Sequence, residues 1–524
     1  MKLKAIALAC AMLAAGSSFA AGKVAIGGVD HEVVYLSGAT AVDNFLGDIA
    51  ESMLTGVVFY ENVSANGAFQ HRGYAGAANG VPGIADGTRV LFIKRTKGGS
   101  VWGVNPVARA QRIETIDVNN CSVGDAADPK FPRDGSKSKP FLCVAIGTDP
   151  GAAGHALPTN LGLVPDYGVS DVEPAMFAAP FNTENDTPAL APEEVARLAA
   201  VPLNQLMMGI VATNNVPLST HMSRSAYGAM LNNQIQSWDL VDPTLEGDVV
   251  VCRRVEGSGT QTSYNWFFTN FPCSTNEGGS ATPARMSDSF GWKSSGTGTA
   301  ADPYIIDPSA GYTVIENSGS GDVRNCLKAA NNGTTFNFKA WDSEEGKENN
   351  FRVPFTTSMK AIGTLSLDSY GREDGWTFRS LDGAGSFNAA TQVASAGATG
   401  MAPSKSNLIN GKYDFVVEVS MQGRQVQVVN EQSDPIPALA GVQKSFFEEF
   451  VKRAGSPKFT GNFENDGTKV GTPNAFSSLS QYFAGLTNGQ GAETNADNVR
   501  YADLYVSRFS REANTCSPLK HFGN

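Results

Sequence analysis

The sequence predicts an α/β fold, with mostly parallel sheets covered on both faces by helices and spread over two or more domains. Three observations predict it. Strand-like apolar runs alternate with helix-like runs through residues 21–110 and again from Tyr167 onward, the signature of parallel sheets joined by crossover helices. The chain has 524 residues, more than one hydrophobic core usually serves. Its 56 glycines and 26 prolines, with only 17% charged residues, describe a loop-rich globular chain and not a disordered one.

Taken in order, Val33–Leu36 reads as a strand, 42–54 as a helix, 56–60 and 90–94 as strands, and 101–112 as a helix. Residues 112–163 break the rhythm with turn signals at Asn119-Asn120, Asp128-Pro129, Asp134-Gly135 and Asp149-Pro150-Gly151. They are expected to form an inserted, disulfide-closed excursion. The alternation returns at Tyr167. Pro192 and Glu193-Glu194 open a helix expected near 192–200. A strand over 206–212 and a helix over 222–233 follow. A second break, rich in Gly, Ser, Thr and Asn, is expected from about 275 to 350, including Ser318-Gly319-Ser320-Gly321. Residues 361–367, 413–419 and 425–429 read as strands. Leu439–Arg453 reads as an amphipathic helix whose Val442, Phe446, Phe447, Phe450 and Val451 face the core.

The first 20 residues read as a secretory signal. Lys2 and Lys4 precede the apolar run Ala5–Ala15, and Ser18-Phe19-Ala20 ends it as a small-x-small cleavage site, so the mature chain is expected to begin at Ala21. That run is too short to span a bilayer. Cys10 lies inside it without a lipobox. Six cysteines remain: Cys121, Cys143, Cys252, Cys273, Cys326 and Cys516. An even count in an exported chain implies three disulfides, with connectivity open. The favoured pairings are Cys121–Cys143, closing the first insertion, and Cys252–Cys273, tying a strand to the far end of the next helix. Cys326–Cys516 would then fasten the tail. There is no C-x-x-C, and the histidines are isolated, so neither a metal nor another cofactor is expected. The formal charge of −11 argues against a nucleic-acid partner.

Arg254-Val255-Glu256-Gly257-Ser258-Gly259-Thr260 carries the chemistry. It follows the apolar run Val249–Cys252 and opens a helix over Gln261–Phe268. The first N–H groups of a helix lack partners, and the helix dipole favours an anion there. Ser258 and Thr260 add hydroxyl donors, Gly259 permits close approach, and Arg254 supplies a planar fork of donors. The structural alternative is an N-capped helix with a surface arginine. Three further loops repeat the theme: Ser37-Gly38-Ala39-Thr40-Ala41, Gly98-Gly99-Ser100, and Gly168-Val169-Ser170-Asp171. Ser295-Gly296-Thr297 lacks an arginine at the corresponding spacing and is read as a turn.

These four loops, in this order, resemble those of the periplasmic phosphate-binding protein of the ABC-type phosphate transporter. Leu206–Ala212, Tyr227–Asp239 and Ala361-Ile362-Gly363-Thr364-Leu365 look like further segments of that family. The resemblance covers 33–60, 90–110, 165–270 and, more weakly, 355–460. It implies a two-lobed type II periplasmic-binding-protein-like fold with long insertions. It implies lobe one at 21–190, lobe two at 191–360, a return to lobe one over 361–470, and an extension over 471–524. It also implies that Thr40, Ala41, Ser100, Asp171, Arg254, Ser258, Gly259 and Thr260 line an interlobe oxyanion site. The expected ligand is inorganic phosphate, delivered to an ABC transporter membrane component by a monomeric periplasmic or secreted protein. The chain departs from the pattern at Ala41, where the family has an aromatic residue, at Asn233, where it has a glycine, and in its greater length.

No nucleotide-binding G-x-x-x-x-G-K-[ST] loop, H-E-x-x-H or G-x-S-x-G is present, so no enzymatic activity is expected. Asn462-Phe463-Glu464-Asn465-Asp466-Gly467 lacks the bidentate glutamate of a calcium loop and is read as a turn. The competing function is an exported interaction or matrix protein that reuses the binding fold with weak or no phosphate binding.

Overall fold

The structure, a computed structural model, describes residues 22–63, 69–123, 140–150, 161–183, 188–274, 282–462, 475–480, 493–495 and 497–522. The expected signal segment and nearly all of the calcium-loop-like stretch lie outside them. In chain order, the elements that position the candidate site are β1 (Val29–Gly38), β2 (Arg89–Arg95), β3 (Tyr167–Ser170), β4 (Leu198–Thr213), β5 (Val250–Arg254), α1 (Gly259–Thr269), β6 (Thr313–Asn317), α2 (Ser320–Asn332), β7 (Ala361–Ser366), β8 (Val416–Arg424) and α3 (Gly441–Gly455).

The fold is mixed α/β and two-lobed, each lobe built on its own sheet. In the first, β1 lies between parallel neighbours β2 and β3. β3 pairs antiparallel with β8, and β8 with the Leu198–Met207 half of β4. In the second sheet, the Met208–Ala212 stretch of β4 pairs antiparallel with β7. β7 and β6 flank β5, both parallel to it. β4 therefore belongs to both sheets. The antiparallel strands Leu54–Val63 and Phe69–Ala78 extend the first sheet beyond β2.

The central strands are buried along most of their length, and polar side chains such as Gln205, Glu418 and Gln422 are buried with the apolar ones. α3 packs on the first sheet as its periodicity predicts. Phe446 and Phe450 meet Phe92 with ring centroids 5.1 and 5.9 Å apart, and Phe447 meets Tyr167 at 4.8 Å. The aromatic stripe is core.

The sheets expected to be mostly parallel are mixed, since β4, β7, β8 and the strands Leu54–Val63 and Phe69–Ala78 all take antiparallel partners. Three further expectations need correction. The helix expected over 192–200 is a single turn, Pro192–Val195, and the chain then enters β4. The physical reason is that from Leu198 the backbone pairs with β8 in a sheet ladder, and Pro202, which lacks an N–H donor, falls inside that strand. In β4 it sits opposite Ser420, where the ladder shifts register, the position in which a sheet tolerates proline. The break at 275–350 is only partly an excursion. Its Thr313-Val314-Ile315 run forms β6 inside the second sheet, and Ser318–Gly321 starts the buried helix α2 rather than a linker. Asp322 fixes that start by accepting from Gly319 N–H at 3.1 Å and Ser318 Oγ at 3.0 Å. The part that stands apart is a three-stranded sheet of Tyr304–Ile305, Thr335–Asp342 and Lys347–Pro354. Finally, Ala361–Ser366 pairs in the second sheet, and the strand pairing returns to the first at Val416.

All six cysteines are bonded. Cys121–Cys143 closes a hairpin as expected. The other two pairings are not Cys252–Cys273 and Cys326–Cys516 but Cys252–Cys326 and Cys273–Cys516. Cys252 points from β5 onto the overlying α2. Cys273 lies beyond the C-terminal end of α1, a helix of 11 residues that carries the chain about 16 Å away from its start. The tail segment joined to it bridges the lobes. Glu418 of β8 accepts from Ser510 Oγ and Arg511 N–H, both at 2.7 Å, and Glu173 accepts from Thr515 N–H at 2.7 Å. Arg511 lies over the Trp266 ring of α1 at 4.5 Å.

Cys273 and Cys516 are 243 residues apart, against 22 for Cys121 and Cys143. In the chain-entropy picture these closures are worth about 5 and about 3 kcal/mol. Replacing Cys273 and Cys516 together by alanine is expected to lower the unfolding midpoint more than the same change at Cys121 and Cys143. Thermal unfolding of both variants checks this, and an equal or reversed order contradicts it.

Candidate functional site

The parallel strands β1, β2, β3 and β5 all run toward one place, the interlobe face at their carboxyl ends, where open α/β sheets place ligands. Glycines bring the loops together. A Cβ at Gly38, where φ is +114°, would lie 2.1 Å from Val169 O, and one at Gly168 would lie 1.7 Å from Gly103 O. Only glycine allows β1, β3 and the Ser100–Gly103 turn to approach this closely. Ala39 N–H donates to Val169 O at 2.8 Å, which sets Thr40 and Ala41 beside the loop that carries Asp171. Ala41 is buried; the Thr40 side chain makes no helix-capping bond.

Across the lobe boundary, the loop before α1 meets these turns. Val101 N–H donates to Gly257 O at 3.0 Å. A Cβ at Gly259 would fall 2.4 Å from Ser100 Oγ and 2.7 Å from Asp171 Cβ. Ser100, Asp171 and the first turn of α1 are thus in direct contact. Ser258 caps α1 by accepting from Gln261 N–H at 3.4 Å. Thr260 Oγ1 donates to Asp171 Oδ2 at 3.5 Å, and Asp171 N–H to Ser100 Oγ at 3.4 Å.

Asp171 is 4% exposed, and its Oδ1 has no hydrogen-bond partner among the described residues. Burial raises its pKa to about 6, outweighing the opposing pull of Arg254; Asp368 adds to the rise, while the Ser100 and Thr260 hydroxyls oppose it. At neutral pH Asp171 is an ionised acceptor in a dry place.

Arg254 is 3% exposed. Its Nε donates to Asn317 O at 3.3 Å, Nη1 to Ser320 Oγ at 3.2 Å and Nη2 to Ser318 O at 2.7 Å. A Cβ at Gly99 would lie 3.4 Å from Nη2, so the guanidinium stands next to the Gly99-Ser100 loop. Side chains alternate along β5: Arg253 points the other way and pairs with Glu316 at 2.8 Å.

The structure therefore brings Ser100, Asp171, Arg254, Ser258, Gly259 and Thr260 into one cluster, with Thr40 and Ala41 adjoining. Sequence reasoning missed Asn317, Ser318 and Ser320, which it assigned to a Gly/Ser-rich insertion. The legible signal was a β-branched run followed by a glycine with an acidic residue three positions later, the mark of a strand leading into a capped helix. It also missed Asp368, which faces Asp171 electrostatically, and Arg324, which donates to Ser369 Oγ at 3.2 Å. Chemically, the cluster joins a guanidinium, hydroxyls and the N–H groups of a helix start to one carboxylate acceptor. Among the described residues, no three His, Cys, Asp or Glu side chains are grouped to hold a metal.

No protein-family model matches the chain, and no curated protein does. Solved structures similar to it include a phosphate ABC transporter substrate-binding protein from Clostridium perfringens with bound phosphate (13% identity, 80% of this chain and 92% of that one, TM-score 0.37). Others are a human phosphate-binding apolipoprotein (12%, 84% and 90%, TM-score 0.38) and a high-affinity periplasmic phosphate-binding protein of the DING type (14%, 84% and 89%, TM-score 0.36).

Asp171 makes stability depend on pH. Its folded pKa lies above the unfolded value, so the folded chain takes up a proton between about pH 6 and about pH 4 that the unfolded chain does not. The contribution is most favourable below that window and is lost as pH rises through it. In anion-free buffer, Asp171→Asn is expected to exceed the unmodified protein in stability at about pH 8, with the difference shrinking toward about pH 4. Denaturant titrations across that range check it; a difference that stays constant with pH contradicts it.

Proposed function

We propose that this chain is an exported solute-binding protein that holds inorganic phosphate, or a similar protonated tetrahedral oxyanion, between its lobes for an ABC-type uptake system. The observation that carries the reading is the buried Asp171 Oδ1, without a hydrogen-bond partner among the described residues and set among Arg254, Ser100, Thr260 and the start of α1. A carboxylate beside an anion repels it unless the anion supplies a proton. An ionised carboxylate only accepts hydrogen bonds. Monobasic and dibasic phosphate both donate one, whereas sulfate at neutral pH does not. A site built around that bond rejects the analogue lacking it.

The ligand set in this reading is Thr40, Ala41, Ser100, Asp171, Arg254, Ser258, Gly259 and Thr260, with Thr40 and Ala41 contributing from the end of β1. Binding needs no covalent chemistry, so the protein is read as a binder and not an enzyme, monomeric, acting in the periplasm or outside the cell. The three disulfides support an oxidising compartment. Among the described residues, no helix is long and apolar enough to cross a membrane. One observation favours the second reading, an interaction or matrix protein on the same fold: Arg254 already donates three times to protein acceptors.

Calorimetry of the mature protein with phosphate, sulfate and arsenate separates the two. Saturable binding of phosphate and arsenate with sulfate strongly disfavoured is expected; no saturable binding supports the scaffold. Arg254→Ala is expected to weaken phosphate binding about a hundredfold or more, since hydrogen bonds to charged groups are worth about 1.5–3 kcal/mol each. Asp171→Asn is expected to relax the rejection of sulfate, because an amide can donate. Equal affinities for sulfate and phosphate in the unmodified protein would rule out this role for Asp171.

A further inference from the structure

We infer that Ser320 and the Cys252–Cys326 disulfide are positioning residues for Arg254: they aim its guanidinium at the oxyanion, and affinity depends on them although neither touches the ligand. This rests on the phosphate reading above. Arginine carries its N–H donors in a rigid plane, so fixing its three nitrogens fixes the orientation of the whole guanidinium. Those nitrogens all end on one turn, at Asn317 O, Ser318 O and Ser320 Oγ, within 3.3 Å.

The turn is itself held on both sides. At its start, Asn317 is paired with Arg254 in the β5–β6 ladder, and Asn317 Nδ2 donates to Arg253 O at 3.0 Å. At its end, Asp322 caps α2 through Gly319 N–H. That bond places the carboxylate over the start of α2, which is therefore not an anion site of its own. Two residues before Arg254, on the same face of β5, Cys252 is bonded to Cys326 of α2. Both cysteines are fully buried. One covalent bond thus sets the distance between the strand that bears Arg254 and the helix whose first turn receives its guanidinium. Ser320 is the only one of the three acceptors that is a side chain, so it is the one that substitution can remove.

The test is a double-mutant cycle read by calorimetry with inorganic phosphate. Ser320→Ala is expected to lower affinity about tenfold, the scale of outer-shell orienting bonds elsewhere. The same substitution made in Arg254→Ala is expected to change affinity little. Ser320→Thr, which keeps the hydroxyl, is expected to restore most of the loss. Cys252→Ala with Cys326→Ala is expected to weaken binding in the same Arg254-dependent way, at a temperature where the variant is fully folded. A loss that persists undiminished in the Arg254→Ala background overturns the inference, as does an unchanged affinity in Ser320→Ala. NMR of the Arg254 Nε–H gives an arm independent of ligand: slow hydrogen exchange that speeds up in Ser320→Ala and in the cysteine pair supports the inference, and exchange unchanged in both overturns it. If the unmodified protein binds no phosphate, the functional reading fails and this arm still decides the positioning.

Discussion

β4 is the strand on which the rest of the molecule depends. It runs for 16 residues and is paired on both sides in each sheet, with β8 and Phe476–Ser477 in the first and with β7 and Trp376–Phe378 in the second, so the two lobes share one continuous hydrogen-bonded element. The handover falls at Met207 and Met208, where pairing with β8 gives way to pairing with β7. Gly209, just beyond, has no space for a side chain: a Cβ there would lie 2.6 Å from the Phe378 ring. With the sheets joined in this way, the carboxyl ends of β1, β2, β3 and β5 face one another, and four loops distant in sequence become a single cluster.

The buried charges are met in different ways: Arg379 donates only to backbone carbonyls, while others sit in ion pairs. Arg95 is fully buried and meets Asp149 through two bonds, at 2.6 and 2.9 Å, and Lys94 lies 3.3 Å from Asp43. Each cation has an acidic partner, and burial, followed by the Arg95 guanidinium, drives the neighbouring His71 down to a pKa of about 3. Such pairs offset their own desolvation only because both members are present. Asp171 differs. Burial raises its pKa, and among the described residues its Oδ1 has no hydrogen-bond partner. In the proposed phosphate reading, that oxygen is the acceptor a protonated ligand meets.

Local chemistry made much of this legible. The strand, glycine and hydroxyl patterns at Gly38, Ser100, Asp171 and Arg254 were readable because each is a short-range device, a strand end leading into a helix or turn start. The stripe on Leu439–Arg453 was readable because its period is helical. What failed was longer range. Pro202 was passed over while Pro192 was given weight, so β4 was shortened. The composition of Ser318–Gly321 hid a helix start that only the β-branched residues before it and Asp322 after it reveal. The disulfides depended on which helix covers β5, and that follows from sheet order rather than from separation along the chain.

The contacts of α1 with the first lobe are graded along its length, and this sets where separating the lobes costs least. At its C-terminal end the ties are strong: Asn265 Nδ2 donates to Phe181 O at 3.0 Å and to Asn182 Oδ1 at 2.8 Å, Phe271 meets Phe181 edge-on at 5.1 Å, and Cys273 is bonded to a tail that is anchored on Glu173 and Glu418. At its N-terminal end Thr260 Oγ1 reaches Asp171 Oδ2 at a long 3.5 Å, with one ordinary backbone bond from Val101 to Gly257 beside it. A bond of 3.5 Å is near the limit of useful hydrogen bonding, while a covalent link must be carried along by any motion. In the proposed phosphate reading, an oxyanion enters only if the loops bearing Ser100 and Asp171 part from Gly259. The graded contacts then favour parting at the start of α1 while its far end stays tied, so the element proposed to supply N–H groups to the anion is also the one held best at its other end.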